Sequence, residues 1–159
     1  MKQRTTEFKW AIIFFVMMLL WMVLERVAGL HDAHIDQHMI YTNFVAIPAI
    51  AIYVFALLDK RKRDLGGTMT YMQGFVSGLI ITAIVTVLSP LLQYLTSEVI
   101  SPQYFTNAAA HAVRTGMMTE QAAAEYFSLG NYLVQVLIGT PVMGLVTTAI
   151  VAIFTRAKA

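Results

Sequence analysis

FVSGLIITAIVTVLSPLLQYL, from Phe75 to Leu95, holds no charged residue in twenty-one positions. Crossing the hydrocarbon core of a bilayer takes about 20 mainly apolar residues at a rise of about 1.5 Å each. The stretch therefore reads as a transmembrane helix. Three more of the same kind flank it. They run from about Phe8 to Ala28, from about Tyr41 to Leu58, and from about Tyr132 to Phe154. None alternates strictly between apolar and polar, so barrel strands are not expected. Composition agrees: 58% of residues are hydrophobic and 13% are charged, against about 25% charged in ordinary soluble domains.

The expected fold is an all-α, polytopic four-helix membrane bundle forming one domain over residues 1–159. Its direct partner is the lipid bilayer. A formal net charge of +2 is too small to point to nucleic acid. The absence of cysteine excludes disulfides, thiolate metal sites and a cysteine nucleophile. The first stretch has the basic start and apolar core of a signal peptide. Glu25 and Arg26 interrupt its approach to a cleavage site, so it is expected to remain as a span.

Lys and Arg placement orients the bundle. Lys2, Arg4 and Lys9 precede or open the first span. Lys60 to Arg63 join the second span to the third, and Arg156 and Lys158 follow the fourth. The other two connections hold only Arg26 and Arg114 beside six carboxylates. Cations collect on the cytoplasmic side, so both termini are expected there. Trp10 and Tyr71 would mark the inner interface, and Tyr41, Tyr94 and Tyr132 the outer one.

The segment from Thr96 to Asn131 has helix signals rather than linker composition. Ser101 can cap a helix with Pro102 in its first turn, and Gly116 can end it. Thr119 can cap a second, Gly130 can stop it, and Asn131 can cap the fourth span. The reading is a short extracytoplasmic helical hairpin between spans 3 and 4, over about residues 101–130. Phe105, Ala108, Ala109, Ala112 and Val113 form its apolar stripe, with Tyr104, Asn107, His111 and Arg114 opposite.

The stretch richest in chemistry is GLHDAHIDQH, residues 29–38. In a helix, His31, His34 and His38 repeat at three and four and share a face. Imidazole and carboxylate are good ligands for a divalent metal such as zinc. Imidazoles also titrate between about pH 5 and 8, which suits proton relay or sensing. The alternative is an outer turn kept polar without function. Glu25 falls below the outer headgroups, where ionisable groups face a partner or a wet cavity, unless Glu25 and Arg26 simply snorkel and end the first span. If the helix continued, Glu25 and Asp32 would share a face. The candidate outer site is Glu25, His31, Asp32, His34, Asp36, His38 and His111. Within it, His31, Asp32 and His38 are the candidate metal ligands.

Pro90 and Pro48 can kink their spans. Gln93 and Gln135 can pair across the bundle. Gly74-x-x-x-Gly78 and Gly144-x-x-x-Thr148 permit close helix contact, within the chain or in a homo-oligomer or protein partner. No phosphate-binding glycine loop, His-Glu-x-x-His or Gly-x-Ser-x-Gly motif is present, and no catalytic residue is assigned.

Several of these motifs together resemble a known family. They are Gly29-Leu30-His31-Asp32, Ile35-Asp36, His38 and Tyr41-Thr42, then Tyr53 to Leu57 and Met69-Thr70. Gln73-Gly74-Phe75, Ser77-Gly78, Ser89-Pro90, Gln93-Tyr94, Ser101-Pro102, Tyr104-Phe105 and Met118-Thr119 continue the pattern. The chain resembles, over nearly its whole length, domain of unknown function 4199, small four-span membrane proteins of Bacteroidetes. The resemblance implies a bacterial inner-membrane location and brings no activity, catalytic residue or cofactor. Three functions stay open: transport, ion handling or sensing at the outer site; structural or assembly work through helix and hairpin contacts; and lipid modification by the outer His and Asp residues.

Overall fold

The computed structural model describes residues 4–157. Lys2 and Lys158, counted above for topology, lie outside the described residues. Seven α-helices follow one another: α1 (Thr5–Val27), α2 (Ile35–Tyr41), α3 (Ala46–Asp64), α4 (Tyr71–Tyr94), α5 (Tyr104–Arg114), α6 (Glu120–Tyr126) and α7 (Leu129–Thr155). Four rods are long and apolar enough to cross a membrane: α1, the run Ile35–Asp64, the run Tyr71–Ile100, and α7. The described residues form no strand beyond a single bridge between Met69 and Ala157.

The rods overrun the expected spans because charge does not end a helix. Arg63 pairs with Asp59 at 2.6 Å and Lys60 with Asp64 at 2.7 Å, both one turn apart. These pairs support α3 past Leu58. At its other end, a 3-10 turn over Thr42–Val45 joins α2 to α3. Pro48 sits in the first turn of α3, where its missing N–H costs little. Pro90 lies inside α4. The carbonyl it frees is that of Thr86, and Ser89 Oγ donates to that oxygen at 2.9 Å. A π-helical turn, Leu95–Ile100, then extends α4.

The core is built around α4 and α7, with α1 and α3 packed on them. Ala56, Leu57, Ile81 and Ala152 are fully enclosed. Antiparallel helices α4 and α7 meet through two reciprocal pairs. Gly78 faces Thr148, and Gly144 faces Thr82. A Cβ on Gly78 would come within 2.4 Å of Thr148 Cγ2, and one on Gly144 within 2.3 Å of Thr82 Cγ2. The small-residue motifs therefore act inside the chain. Thr82 also meets Tyr53 Oη at 2.8 Å, which ties α3 to the same seam. Outward-facing Leu137, Ile138, Val142 and Met143 leave α7 with an apolar surface suited to lipid.

The hairpin is α5 and α6. Thr119 Oγ1 accepts from the Ala122 amide, as its capping role requires. Gly116 takes a φ of 70° and closes α5. The Gly116 and Met117 amides donate back to Val113 and Ala112 at 3.0 and 2.9 Å, a Schellman arrangement. Two expected caps are corrected. α7 is capped by Ser128, whose side chain accepts from Asn131 N, and Gly130 lies inside its first turn. Ser128 takes precedence because its extended backbone aims the hydroxyl at the free amides. Ser101 does not cap α5 through its side chain; that hydroxyl is engaged elsewhere.

Candidate metal centre at the hairpin end

The turn after α1 decides the site. Gly29 adopts a φ of 78°. Its amide donates to Arg26 O at 3.1 Å, and the Leu30 amide donates to Glu25 O at 3.0 Å. This is again a Schellman motif, and it reverses the chain at once. An L-residue with a side chain pays roughly 1–2 kcal/mol for that conformation. The reversal folds Leu30 and His31 back against the bundle, so His31 lands beside Glu25, one turn inside α1.

The expected three-histidine face does not form, because no helix runs through residues 28–34. His31 belongs to the turn, His34 precedes α2 and is exposed, and His38 lies in α2. Three residues converge. His31 Nε2 is 3.1 Å from Glu25 Oε2, and His38 Nε2 is 3.4 Å from the same oxygen. One ligand atom from each of the three lies within 4.8 Å of the others. Glu25 and His31 are buried, and His38 is partly exposed.

A second layer holds the three in place. Trp21 Nε1 donates to Glu25 Oε1 at 2.5 Å. His31 Nδ1 meets Ser101 Oγ at 2.5 Å. Asn107 Nδ2 donates to the His31 carbonyl at 2.9 Å. The Tyr104 ring packs against both imidazoles, with centroids 5.1 Å and 5.2 Å away. Burial, with Tyr132 and Glu25 nearby, pushes the Tyr104 phenol well above its ordinary range. It therefore stays neutral. Of the polar residues of α5, Tyr104 and Asn107 thus face the site, while Ala108 and Ala112 are buried.

The remaining candidates stand apart. Asp32 is exposed, accepts from the Ala33 amide at 2.5 Å and lies 3.9 Å from Arg26. It cannot share a helical face with Glu25, since α1 ends at Val27. Asp36 and His111 line a neighbouring open groove with Asp32, Asn107 and Arg114. Arg114 contacts His111 Nδ1 at 3.2 Å. Gln93 is half-buried and Gln135 exposed, and no hydrogen bond joins their side chains among the described residues.

Sequence reasoning missed Trp21 and the roles of Ser101, Tyr104 and Asn107. It also missed Glu7, which is fully buried at the opposite end of α1. One signal was available. Glu7 and Glu25 are about five turns apart, so they lie on one face of α1.

No curated protein and no solved structure matches the chain. A family model described as "Protein of unknown function (DUF4199)" matches residues 9–157. With all but the extremities covered by that match, the chain belongs to this family of proteins of unknown function.

Proposed function

We propose that the protein binds a divalent transition metal of the zinc class through Glu25, His31 and His38, as an ion-handling or sensing protein of the bacterial inner membrane. The carrying observation is the ligand spacing. Bonds of about 2.0–2.1 Å in tetrahedral geometry set ligand atoms about 3.3 Å apart. The two carboxylate–imidazole separations are 3.1 and 3.4 Å. Ser101 would accept from His31 Nδ1–H, which leaves Nε2 free to ligate. Trp21 fixes the far carboxylate oxygen. Three protein ligands leave a fourth position for water or an exchanging ligand, as in sites that act on their metal rather than lock it away. His38, the most exposed of the three, is the side from which an ion enters.

Zinc titration of the purified chain, followed by calorimetry, tests this. One equivalent is expected to bind, and His31→Ala and His38→Ala are each expected to lower affinity by more than about 100-fold, beyond the loss typical of outer-layer partners. Unchanged affinity in both variants ends the proposal. Proton relay is a second reading. It is favoured by His31 Nε2 lying at hydrogen-bond distance from Glu25 without any metal. Absent zinc binding in a folded wild type would leave that reading in place.

The orientation has its own test. The chain lacks cysteine, so single cysteines report without background. With the termini cytoplasmic, Asp36→Cys is expected to react with a membrane-impermeant maleimide in intact cells, and Lys62→Cys only after lysis. The reverse pattern overturns the orientation, and the outer placement of the metal site with it.

A further inference from the structure

The end of the bundle where α1 begins and α7 ends has its own buried carboxylate. Glu7 is fully enclosed. Its Oε1 takes Lys60 Nζ at 2.8 Å and Ser77 Oγ at 3.1 Å, with Arg4 at 3.6 Å. Among the described residues its Oε2 has no hydrogen-bond partner. A buried carboxylate oxygen left without a donor is costly, so the position favours any ligand that supplies one. Lys60 is already shared with Asp64 at 2.7 Å.

Glu7 lines a groove of mixed character. Arg4, Lys60, Gln73 and Ser77 line it with polar groups, and Leu65, Met72 and Val76 with apolar ones. Met72 and Val76 are exposed on the flank of a membrane-crossing helix. Gln73 uses its side-chain oxygen to accept from the Thr70 amide, so its NH2 group is turned to other partners. The groove therefore offers cations and an amide for an anion and an apolar flank, with an enclosed acceptor beneath them that lacks a donor.

We propose that this groove binds the headgroup of an ethanolamine phospholipid. As the exposed Arg4 side chain moves off Glu7, the primary ammonium enters and donates to Oε2, a charge-assisted bond. The phosphate lies against Arg4 and the Gln73 amide, and an acyl chain runs along Met72 and Val76. A bare divalent cation would meet Lys60 and Arg4 and be repelled. A zwitterion brings its own anion to them. A choline headgroup has no N–H to give, and a glycerol headgroup has no cation.

Detergent-purified full chain mixed with equal amounts of dioleoyl phosphatidylethanolamine, phosphatidylcholine and phosphatidylglycerol tests this by native mass spectrometry. Phosphatidylethanolamine is expected to be retained about tenfold over phosphatidylcholine. Glu7→Gln is expected to erase that preference while zinc binding at the other end stays unchanged. Arg4→Gln, which leaves the buried groups intact, reads the same site should Glu7→Gln fail to fold. It is expected to weaken retention of phosphatidylethanolamine about tenfold. Equal retention of the ethanolamine and choline lipids by the wild type overturns the proposal. So does a preference that survives Glu7→Gln, or unaltered retention by Arg4→Gln. Free phosphoethanolamine displacing the lipid at equal concentration would assign the groove to a soluble ligand and overturn the lipid.

Discussion

Gly144→Val is expected to abolish the folded protein. The first atom of the new side chain would sit 2.3 Å from Thr82 Cγ2 and 3.0 Å from its Cβ. Thr82 cannot rotate away cheaply, because its hydroxyl bonds Gly78 O at 3.0 Å and Tyr53 at 2.8 Å. Overpacking a filled core costs about 1–3 kcal/mol, and more where backbone must part. Here α4 and α7 would have to separate along the largest contact in the molecule. Size-exclusion chromatography and thermal unfolding in detergent should show aggregate or a strongly lowered midpoint. Adding Thr82→Gly to Gly144→Val removes the clashing side chain and is expected to recover part of the loss. Thr148→Val is the contrast: its hydroxyl is buried without a partner among the described residues, so the change is expected to be neutral or stabilising by about 1 kcal/mol. A Gly144→Val protein that melts like wild type would falsify the seam as described.

Glu25→Gln carries the second large effect. Glu25 is the one carboxylate that both imidazoles reach, at 3.1 and 3.4 Å. An amide has the same shape but no charge, and its NH2 would face a histidine or Trp21 Nε1, which donates to Oε1 now. Zinc affinity is expected to fall by well over about 100-fold, since even outer-layer losses cost about 10–100-fold. Ser101→Ala supplies that milder case, because it removes only the partner of His31 Nδ1. Competition with a coloured zinc chelator measures both. Equal losses for the two variants would mean that Glu25 is not a ligand.

The helices and the site differed in how far they could be read. Long uncharged runs have one stable outcome, so four spans and the positions of Gly116 and Thr119 follow from local chemistry alone. The histidine segment is different, because its periodicity suggested a helix through His31, yet α1 ends before Gly29 and the next helix starts only at Ile35. A single positive φ at Gly29 changes which side chains meet, removing His34 and Asp32 and bringing His31 back to Glu25. Ser101 shows the same limit. Its sequence context offers a helix cap, yet its hydroxyl meets an imidazole seventy positions away.

By itself the amino-acid order determined the helical class, the number of spans, the hairpin and the family, because those depend on hydrophobicity and on signals within a few residues. Only the tertiary structure decided that Gly78 answers Thr148 and Gly144 answers Thr82. It alone decided that Glu7 lies beside Lys60 and that Glu25 joins two of the three neighbouring histidines. These contacts depend on where separate helices lie against one another, and that is set by packing across the bundle rather than by any neighbour along the chain.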